Sequence, residues 1–274
     1  MKQFNKIAVK AYNNTEFLKS PQARALRILS EFMEPMDRFE REGIEDAIVI
    51  FGSARVMSRK QAKENLKKAQ SKALLNKKKK NALYKSQLDY AKIDLEMSSY
   101  YEDAVKLTDM LTRWSQRLDH ERHFVICSGG GPGIMEAANK GAIQGGGKSI
   151  GLNISLPMEQ GSNPYVSNNL SFEFHYFFMR KFWFVNLAKA MIMFPGGFGT
   201  LDEMMEVLTL LQTKKTTKKL PIVLYGKKYW NEVLNFDAMV RHHTVSKNDL
   251  TMIRFADTPE EAFQYLKKEL SKKL

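Results

Sequence analysis

The sequence predicts an α/β fold in which a doubly wound, mostly parallel sheet is covered by helices on both faces. Three observations support this prediction: short apolar segments recur along the chain, helical patterns lie between most of them, and several apolar segments end in glycine-rich turns. Continuous apolar strands that alternate with helices are typical of a sheet buried on both faces. With 274 residues the chain is long enough to bury such a core, and we expect one domain over residues 1–274.

The individual elements follow from local patterns. Apolar runs bounded by turn residues predict strands, over residues 47–51, 123–127, 149–156, 170–174, 190–194, 220–225 and 251–255. Apolar residues at spacings of three and four predict helices, over residues 22–41, 100–118, 134–144, 177–188, 201–212, 229–241 and 259–270. Residues 1–46 are therefore an N-terminal helical extension. Doubly wound folds bind ligands at the carboxyl ends of their strands, so we expect the functional residues at that edge of the sheet.

Composition excludes several classes of protein. Apolar residues make up 43% and charged residues 27% of the chain, which is ordinary globular usage and excludes wholesale disorder. The single cysteine, Cys127, has no partner for an internal disulfide, which favours a reducing compartment. The longest apolar stretch, residues 182–194, is too short to span a membrane, and the first residues lack the apolar core of a secretory signal. We therefore expect a cytoplasmic protein without membrane contact.

The positive charge is concentrated in one segment. The net charge of the chain is +13, and residues 59–92 hold twelve basic and two acidic residues, a local net charge of +10. Good helix formers without Gly or Pro predict a Lys-rich helical insertion over residues 58–98, as one long helix or a hairpin. Its thin apolar stripe suits packing on the domain or on a partner subunit. Weak anion or nucleic-acid contact is the alternative, but only Tyr84 and Tyr90 could stack on bases, so nucleic acid is not the expected partner.

Glycine-rich turns follow three predicted strands, at residues 52–55, 128–133 and 195–200. Glycine allows close backbone approach, and the N-terminus of the following helix offers free N–H groups and partial positive charge, which suit a phosphate. Every sheet protein needs tight turns, but three of them at one sheet edge favour a nucleotide or another phosphorylated ligand. The residues expected to bind it are Gly52, Ser53, Gly130, Gly131, Gly133, Gly196, Gly197, Gly199 and Thr200.

Other known site patterns are absent from the sequence. None of the turns matches G-x-G-x-x-G, so a dinucleotide site is not predicted. Residues 142–149 resemble a degenerate P-loop, but they close a predicted helix and lead into a strand, which is the wrong context. The histidines form no H-E-x-x-H motif and there is one cysteine, so no metal site is expected. No G-x-S-x-G nucleophile turn occurs.

Two groups of charged residues lie beside these turns. Glu203 follows Thr200 by three residues, so it is either part of a capping box or a carboxylate that faces the ligand. The same box at residues 258–261 has no glycine turn and is interpreted as a cap alone. Arg180 and Lys181 lie in a strongly aromatic segment, where cations need anionic partners. We favour a ligand role for both groups.

Three motifs together resemble the LOG (Lonely Guy) family, whose members are often mislabelled lysine decarboxylases. They are Gly129-Gly-Gly-Pro-Gly-Ile-Met-Glu-Ala-Ala-Asn139, the pair Arg180-Lys181, and Pro195-Gly-Gly-Phe-Gly-Thr-Leu-Asp-Glu203. The resemblance covers about residues 47–255. It implies a Rossmann-like fold, and hydrolysis of the N-glycosidic bond of a nucleoside 5′-monophosphate, AMP-like or a cytokinin ribotide, to free base and ribose 5-phosphate.

The same resemblance implies roles for particular residues. Arg180 and Glu203 would be the catalytic pair, residues 196–200 would hold the 5′-phosphate, and the nucleotide site would also be lined by Glu159, Lys181 and Thr209. It further implies a homodimer or a higher homo-oligomer.

The sequence departs from the family pattern in two places. The usual M-H-x-R-K appears as Phe177-Phe-Met-Arg-Lys181, so a plant-hormone substrate does not follow, and the basic segment is an insertion relative to compact members. A decarboxylase would need pyridoxal phosphate on a suitably placed lysine, which we do not find, and no cofactor is expected. The alternative function is a carrier that binds a nucleotide or nucleotide-like cofactor without turnover, because fold does not decide function.

Overall fold

The computed structural model describes residues 8–75, 82–118, 123–156 and 161–273. Within these ranges the strands are β1 Asp46–Phe51, β2 Phe124–Ser128, β3 Ser149–Ile154, β4 Ser171–Phe174, β5 Ala188–Met193, β6 Ile222–Tyr225 and β7 Ile253–Ala256. The helices are α1 Thr15–Lys19, α2 Arg24–Arg41, α3 Arg59–Leu75, α4 Ala82–Gln116, α5 Ile134–Gln144, α6 Phe177–Leu187, α7 Phe198–Gln212, α8 Lys227–Val233, α9 Phe236–Arg241 and α10 Pro259–Leu270.

The strands form one parallel sheet in the order β4-β3-β2-β1-β5-β6-β7. The first four strands progress outward from β1 in one direction, and β5 then returns to pair with its other side. The strand order therefore reverses at β1, which is where doubly wound folds bind ligands. The three glycine-rich turns follow β1, β2 and β5, which are neighbours, so their predicted meeting at one sheet edge is confirmed.

Each face of the sheet carries its own apolar core because successive strand residues point in opposite directions. Val49 faces the core that β1 shares with α2, α6, α7 and α8, whereas Ile48 faces the core shared with α4, α5 and α10. The first core includes Phe39, Phe184 and Trp230. Both faces are covered, which explains the continuous apolar runs in the sequence and confirms the predicted Rossmann-like α/β class.

The largest differences from the predicted elements lie at helix boundaries. Helix α7 starts at Phe198 rather than residue 201, with Gly197 as its N-cap. The predicted helix 229–241 is wrong as a single element, because the chain leaves α8 at Leu234 and starts α9 after Asn235. The Asn235 side chain accepts a hydrogen bond from the Ala238 N–H at 2.8 Å, and such a cap begins a new helix.

The Lys-rich segment forms a hairpin of two helices, α3 and the first half of α4, and residues 76–81 between them lie outside the described ranges. The second half of the insertion continues without a break past residue 98 into the helix predicted at 100–118, because no Gly or Pro interrupts residues 82–116. The predicted apolar stripe includes Leu66, Leu74, Leu88 and Ile93; Leu66 and Leu88 are half-buried, but Leu74 and Ile93 are more than half exposed. The stripe is therefore only partly covered within the chain.

Helix α4 is 35 residues long. Even so, no helix in the described part of the chain is both long and apolar enough to cross a bilayer.

Candidate functional site

Backbone hydrogen bonds join the three glycine-rich turns to one another. The Ser53 N–H donates to the Pro195 carbonyl at 3.0 Å, and the Ile134 N–H at the start of α5 donates to the Ser53 carbonyl at 3.1 Å. The turn after β1 thus bridges the turns after β2 and β5. The expected binding residues of the three turns lie together at this edge.

Two glycines are required by close backbone contacts between the turns. Gly133 has a φ of +73°, and a Cβ there would meet the backbone of Ser53 and lie 2.7 Å from the Ala54 carbonyl carbon. A Cβ on Gly196 would collide with the Thr200 side chain of its own turn and lie 3.1 Å from the Ser53 backbone nitrogen. These glycines let the turns pack together, which is a structural task, whatever ligand the edge binds.

Gly197 and Gly199 differ from those two glycines because a Cβ at either position would meet no atom of the described chain within 4 Å. They flank Phe198 at the start of α7, whose side chain is 92% exposed. The N–H groups of a first helical turn have no intrahelical partner, and they attract anions. Open space at this helix N-terminus is suited to a phosphate group.

Helix α7 also decides between the two interpretations of Glu203. Its N-cap is Gly197, and no side chain caps the helix, so Thr200 is the third helical residue and not the first residue of a capping box. The capping interpretation of Glu203 is therefore wrong. The box at Thr258 is a cap as predicted, since its side chain accepts from the Glu261 N–H at 3.2 Å.

Arg180 in the first turn of α6 and Glu203 in α7 form an ion pair, with 3.8 Å between Arg180 Nη2 and Glu203 Oε1. Their side chains are only 15% and 5% exposed. The guanidinium lies 5.1 Å from the ring centre of Phe177 and 5.7 Å from that of Phe184. Its buried Nε finds no hydrogen-bond partner among the described residues. A long, partly unsatisfied pair of this kind has donor and acceptor capacity left for a ligand.

Burial determines the protonation of this pair. It raises the pKa of Glu203 to about 7, although Arg180 and Lys181 act in the opposite direction. Burial also lowers the pKa of Arg180, against the effect of Glu203 and Asp202. Ionised groups lose hydration when they are buried, so the charged form of each is penalised. A carboxyl that titrates near neutral pH can accept or donate a proton during a reaction.

Lys181 of α6 forms ion pairs with two carboxylates of α7. Its Nζ lies 2.8 Å from Asp202 and 2.9 Å from Glu206. Burial acts to lower the pKa of Lys181, but the hydrogen bonds to Asp202 and Glu206 outweigh it and raise that pKa. Lys181 is therefore charged and already neutralised by two carboxylates.

Two residues of the expected nucleotide site remain, Thr209 and Glu159. Thr209 lies beside Lys181 around an open depression of about 390 Å³, and its hydroxyl donates to the Met205 carbonyl at 2.7 Å within α7. Glu159 lies outside the described residues. The structure thus brings Arg180, Lys181 and Glu203 together, with Thr209 two turns further along α7.

Three polar residues at the turns were missed from the sequence. Asn139 and Asn163 belong to a buried amide network beneath residues 129–131, and the Tyr229 hydroxyl donates to the Gly196 carbonyl at 2.9 Å. Asn139 ends the first quoted motif, which was a usable signal. Asn163 and Tyr229 lie 33 residues from the glycines that they contact, so no local pattern marks them.

A small cleft of about 150 Å³ lies next to the turn at residues 195–197. Arg55 and Tyr229 line it, together with Asp94 and Met97 of α4. The base of the Lys-rich hairpin therefore forms a wall beside the glycine turns.

Comparisons with known proteins match the part of the chain that includes Arg180, Glu203 and the turn at residues 195–200. Residues 135–266, just under half of the chain, match the family model described as possible lysine decarboxylase. The resemblance to the LOG family that the motifs carry is confirmed, since the curated relatives of this chain include enzymes named for nucleotide cleavage.

Two such relatives are a pyrimidine/purine nucleotide 5′-monophosphate nucleosidase of Escherichia coli strain K12 and a probable cytokinin riboside 5′-monophosphate phosphoribohydrolase of Oryza sativa subsp. japonica. The first is 30% identical over 162 residues, covering 54% of this chain and 35% of the relative. The second is 28% identical over 171 residues, covering 61% and 64%. The chain thus spans less than two thirds of the length of either relative.

Solved structures with a similar fold include a molybdenum cofactor binding protein of Rippkaea orientalis and a Moco carrier protein of Chlamydomonas reinhardtii. The first has a TM-score of 0.45 at 20% identity and covers 62% of this chain and 88% of its own. The second has a TM-score of 0.44 at 20% identity and covers 64% and 89%.

The residues of the candidate site do not fit a pyridoxal phosphate decarboxylase. Such an enzyme binds its cofactor as a Schiff base, which requires an unprotonated lysine amine. Lys181, the lysine beside Arg180 and Glu203, is paired with two carboxylates that raise its pKa. Its amine is therefore kept protonated, and we derive no step through this cofactor.

A matched pair of glycine substitutions tests the packing role of the turn at residues 195–200. We expect Gly196→Ala to lower the thermal unfolding midpoint by several degrees, because the new Cβ collides with Thr200. Gly197→Ala should leave the midpoint unchanged, since its Cβ enters open space. Differential scanning calorimetry measures both variants, and equal midpoints for the two would contradict this account of the turn.

The raised pKa of Glu203 predicts a pH-dependent cost to stability. A carboxyl with a pKa of about 7 in the folded state and 4.5 when unfolded binds its proton more tightly when folded, so the free energy of unfolding falls as pH rises from 4.5 to 7. Glu203→Gln should therefore raise that free energy at pH 8 by up to about 3 kcal/mol, and change it little at pH 4.5. Urea denaturation at both values measures the difference.

Glu206→Gln is the matched control for this effect, because Glu206 lies on the same helix but is partly exposed and bound to Lys181. It should gain no stability at pH 8. A Glu203→Gln protein that is less stable than wild type at pH 8 would show that the pair with Arg180 outweighs the cost of burial.

Proposed function

We propose that this protein hydrolyses the N-glycosidic bond of a nucleoside 5′-monophosphate to a free base and ribose 5-phosphate. The buried pair of Arg180 and Glu203 beside three joined glycine turns carries this proposal. The turns and helix N-termini offer N–H groups for a phosphate, and the pair offers a proton-transfer group and a cation in a site that largely excludes water.

The 5′-phosphate docks at the N-termini of α5 and α7. Residues 196–200 supply the N–H groups of the first turn of α7, with space left open at Gly197 and Gly199. The expected contacts to Gly52, Ser53 and to Gly130, Gly131 and Gly133 belong to the same proposal. Two helix dipoles that converge on one anion stabilise it more than either alone.

Glu203 acts on the ribose. As the bond between C1′ and the base nitrogen lengthens, positive charge develops on the sugar, and the Glu203 carboxylate stabilises that charge and accepts a proton from the attacking water. The water oxygen becomes bonded to C1′, and the bond's electron pair leaves with the base, which takes up a proton from solvent, while Glu203 releases the proton that it accepted from the water. Arg180 binds the anionic substrate or the departing base through donors that Glu203 does not use.

The names of the curated relatives support this reaction class, since the Escherichia coli relative is a nucleotide 5′-monophosphate nucleosidase and the rice relative a probable phosphoribohydrolase. A carrier that only binds a nucleotide or cofactor has no need for a buried carboxyl that titrates near neutrality. The raised pKa of Glu203 therefore favours hydrolysis over the carrier alternative.

We further propose the organisation of the protein around this site. Residues 1–274 act as one domain with the extension 1–46 and the insertion 58–98, in the cytoplasm, where nucleotides are abundant. The assembly is a homodimer or larger. Supporting this, Phe32, Met36 and Phe182 are partly exposed around an apolar groove of about 560 Å³ between α2 and α6.

Substitution of Glu203 tests the reaction. Incubated with AMP, GMP, CMP, UMP, IMP or a cytokinin ribotide, the wild-type protein should release free base, detected by chromatography. Glu203→Ala should lower kcat by roughly 100-fold or more, the usual size of one lost charge-stabilising group. Because the carboxylate is the active form, kcat/KM should rise with pH through about 7.

Glu206→Gln again serves as the control, and should retain most of the activity. Absence of base release from every nucleotide, together with a higher unfolding midpoint in their presence, would support the carrier alternative. Equal activity of wild type and Glu203→Ala would remove Glu203 from the mechanism.

The proposed assembly is tested with charged substitutions on two exposed surfaces. Wild type should sediment as a dimer or larger, and Met36→Glu should shift it towards monomer because it places a charge in the apolar groove. Leu74→Glu, on the Lys-rich hairpin, should not change the assembly. Dissociation by Leu74→Glu alone would instead place the subunit contact on the hairpin.

A further inference from the structure

Side chains hold the backbone carbonyls of two glycine turns. The Asn163 side-chain Nδ2 donates to the carbonyls of Gly130 and Gly131, both at 3.0 Å, and its backbone N–H donates to Gly130 at 2.8 Å. Asn163 is 8% exposed. On the neighbouring turn, the Tyr229 hydroxyl donates to the Gly196 carbonyl at 2.9 Å.

The network around Asn163 determines which way its amide points. Nδ2 also donates to Asn139 Oδ1 at 2.9 Å, so that it faces three oxygens, while Asn163 Oδ1 accepts from the Tyr165 N–H at 3.1 Å. A flipped amide would set its own oxygen against three acceptors. Asn139 is in turn held by Ser128, whose hydroxyl donates to Asn139 Oδ1 at 2.7 Å. The two N–H bonds of the Asn163 amide are therefore shared between the glycine turn and Asn139.

Tyr229 is packed against a buried neighbour. Its ring lies edge-on to Trp230, with 5.2 Å between the ring centres, and the Trp230 indole N–H donates to the Tyr225 carbonyl at 3.0 Å. Trp230 is fully buried. The hydroxyl of Tyr229 thus reaches Gly196 from a ring that contacts the core.

These bonds orient the N–H groups of the turns. In a planar trans peptide the C=O of one residue and the N–H of the next point in opposite directions. A Gly130 carbonyl turned towards Asn163 directs the Gly131 N–H to the other side, and a Gly196 carbonyl turned towards Tyr229 does the same for the Gly197 N–H. The carbonyls of Gly130 and Gly196 are thus bound, and the N–H groups of Gly131 and Gly197 are directed away from the side chains that hold them.

We propose that Asn163 and Tyr229 are positioning residues of the phosphate site. Neither touches the ligand: each holds the carbonyl of one glycine turn so that the N–H groups at Gly131 and Gly197 face the 5′-phosphate. This inference rests on the proposed function, since it takes the anion at the turns to be the phosphate of a nucleotide.

The test compares a ligand that carries the phosphate with one that lacks it. All affinities are measured by calorimetry in the 274-residue protein with Glu203→Gln, which slows turnover. Adding Tyr229→Phe, which keeps the ring packing, should weaken AMP binding roughly 5- to 10-fold, the size expected for one lost hydrogen bond, and leave adenosine binding unchanged. Asn163→Ala should have an equal or larger effect.

Ser167→Ala is the matched control, because Ser167 lies in the same β3–β4 connection as Asn163. Its side chain accepts from the Ser149 N–H at 3.0 Å, at the amino end of β3 and therefore away from the glycine turns. It should leave the preference for AMP over adenosine intact. An unchanged preference in Tyr229→Phe, or an equal loss of AMP and adenosine binding, would overturn the inference. No preference for AMP in the Glu203→Gln parent would instead show that the turns hold no phosphate, so the proposed function itself fails.

Discussion

The parallel pairing of β1 with both β2 and β5 is the constraint on which the site depends. It places three strand ends side by side, so that their turns meet and exchange the hydrogen bonds of Ser53 with Pro195 and Ile134. Helices α5 and α7 then begin at the same edge. Without this pairing, the glycine turns would be three unrelated loops, and their helix N-termini could not converge on one ligand.

The chemistry of the site comes from burial rather than from any unusual residue. Arg180 and Glu203 are common surface residue types, but in the fold their side chains are only 15% and 5% exposed. Loss of hydration then raises the pKa of Glu203 to about 7 and lowers that of Arg180. A buried carboxyl with a raised pKa lowers the free energy of unfolding at neutral pH, and such destabilising groups are concentrated at functional sites.

Much of this was predictable from local sequence. The strands were found because they are buried on both faces and therefore read as unbroken apolar runs, and the turns because glycine is required where backbones meet, as at Gly133 and Gly196. The cap at Thr258 and the start of α5 at Ile134 were also predicted correctly. The first turn of α7 was not, because Thr200 and Glu203 have the spacing of a capping box although Gly197 caps the helix.

The sequence by itself determined the fold class and the three turns, and it marked Arg180 and Glu203 as candidate site residues, because the local sequence around each carries the signal. Only the tertiary structure decided how far apart the pair lies, that Lys181 is already neutralised by Asp202 and Glu206, and that Asn163 and Tyr229 hold the glycine turns. The reason is physical: pKa values and carbonyl orientation depend on burial and on partners distant in sequence, which folding alone brings into contact.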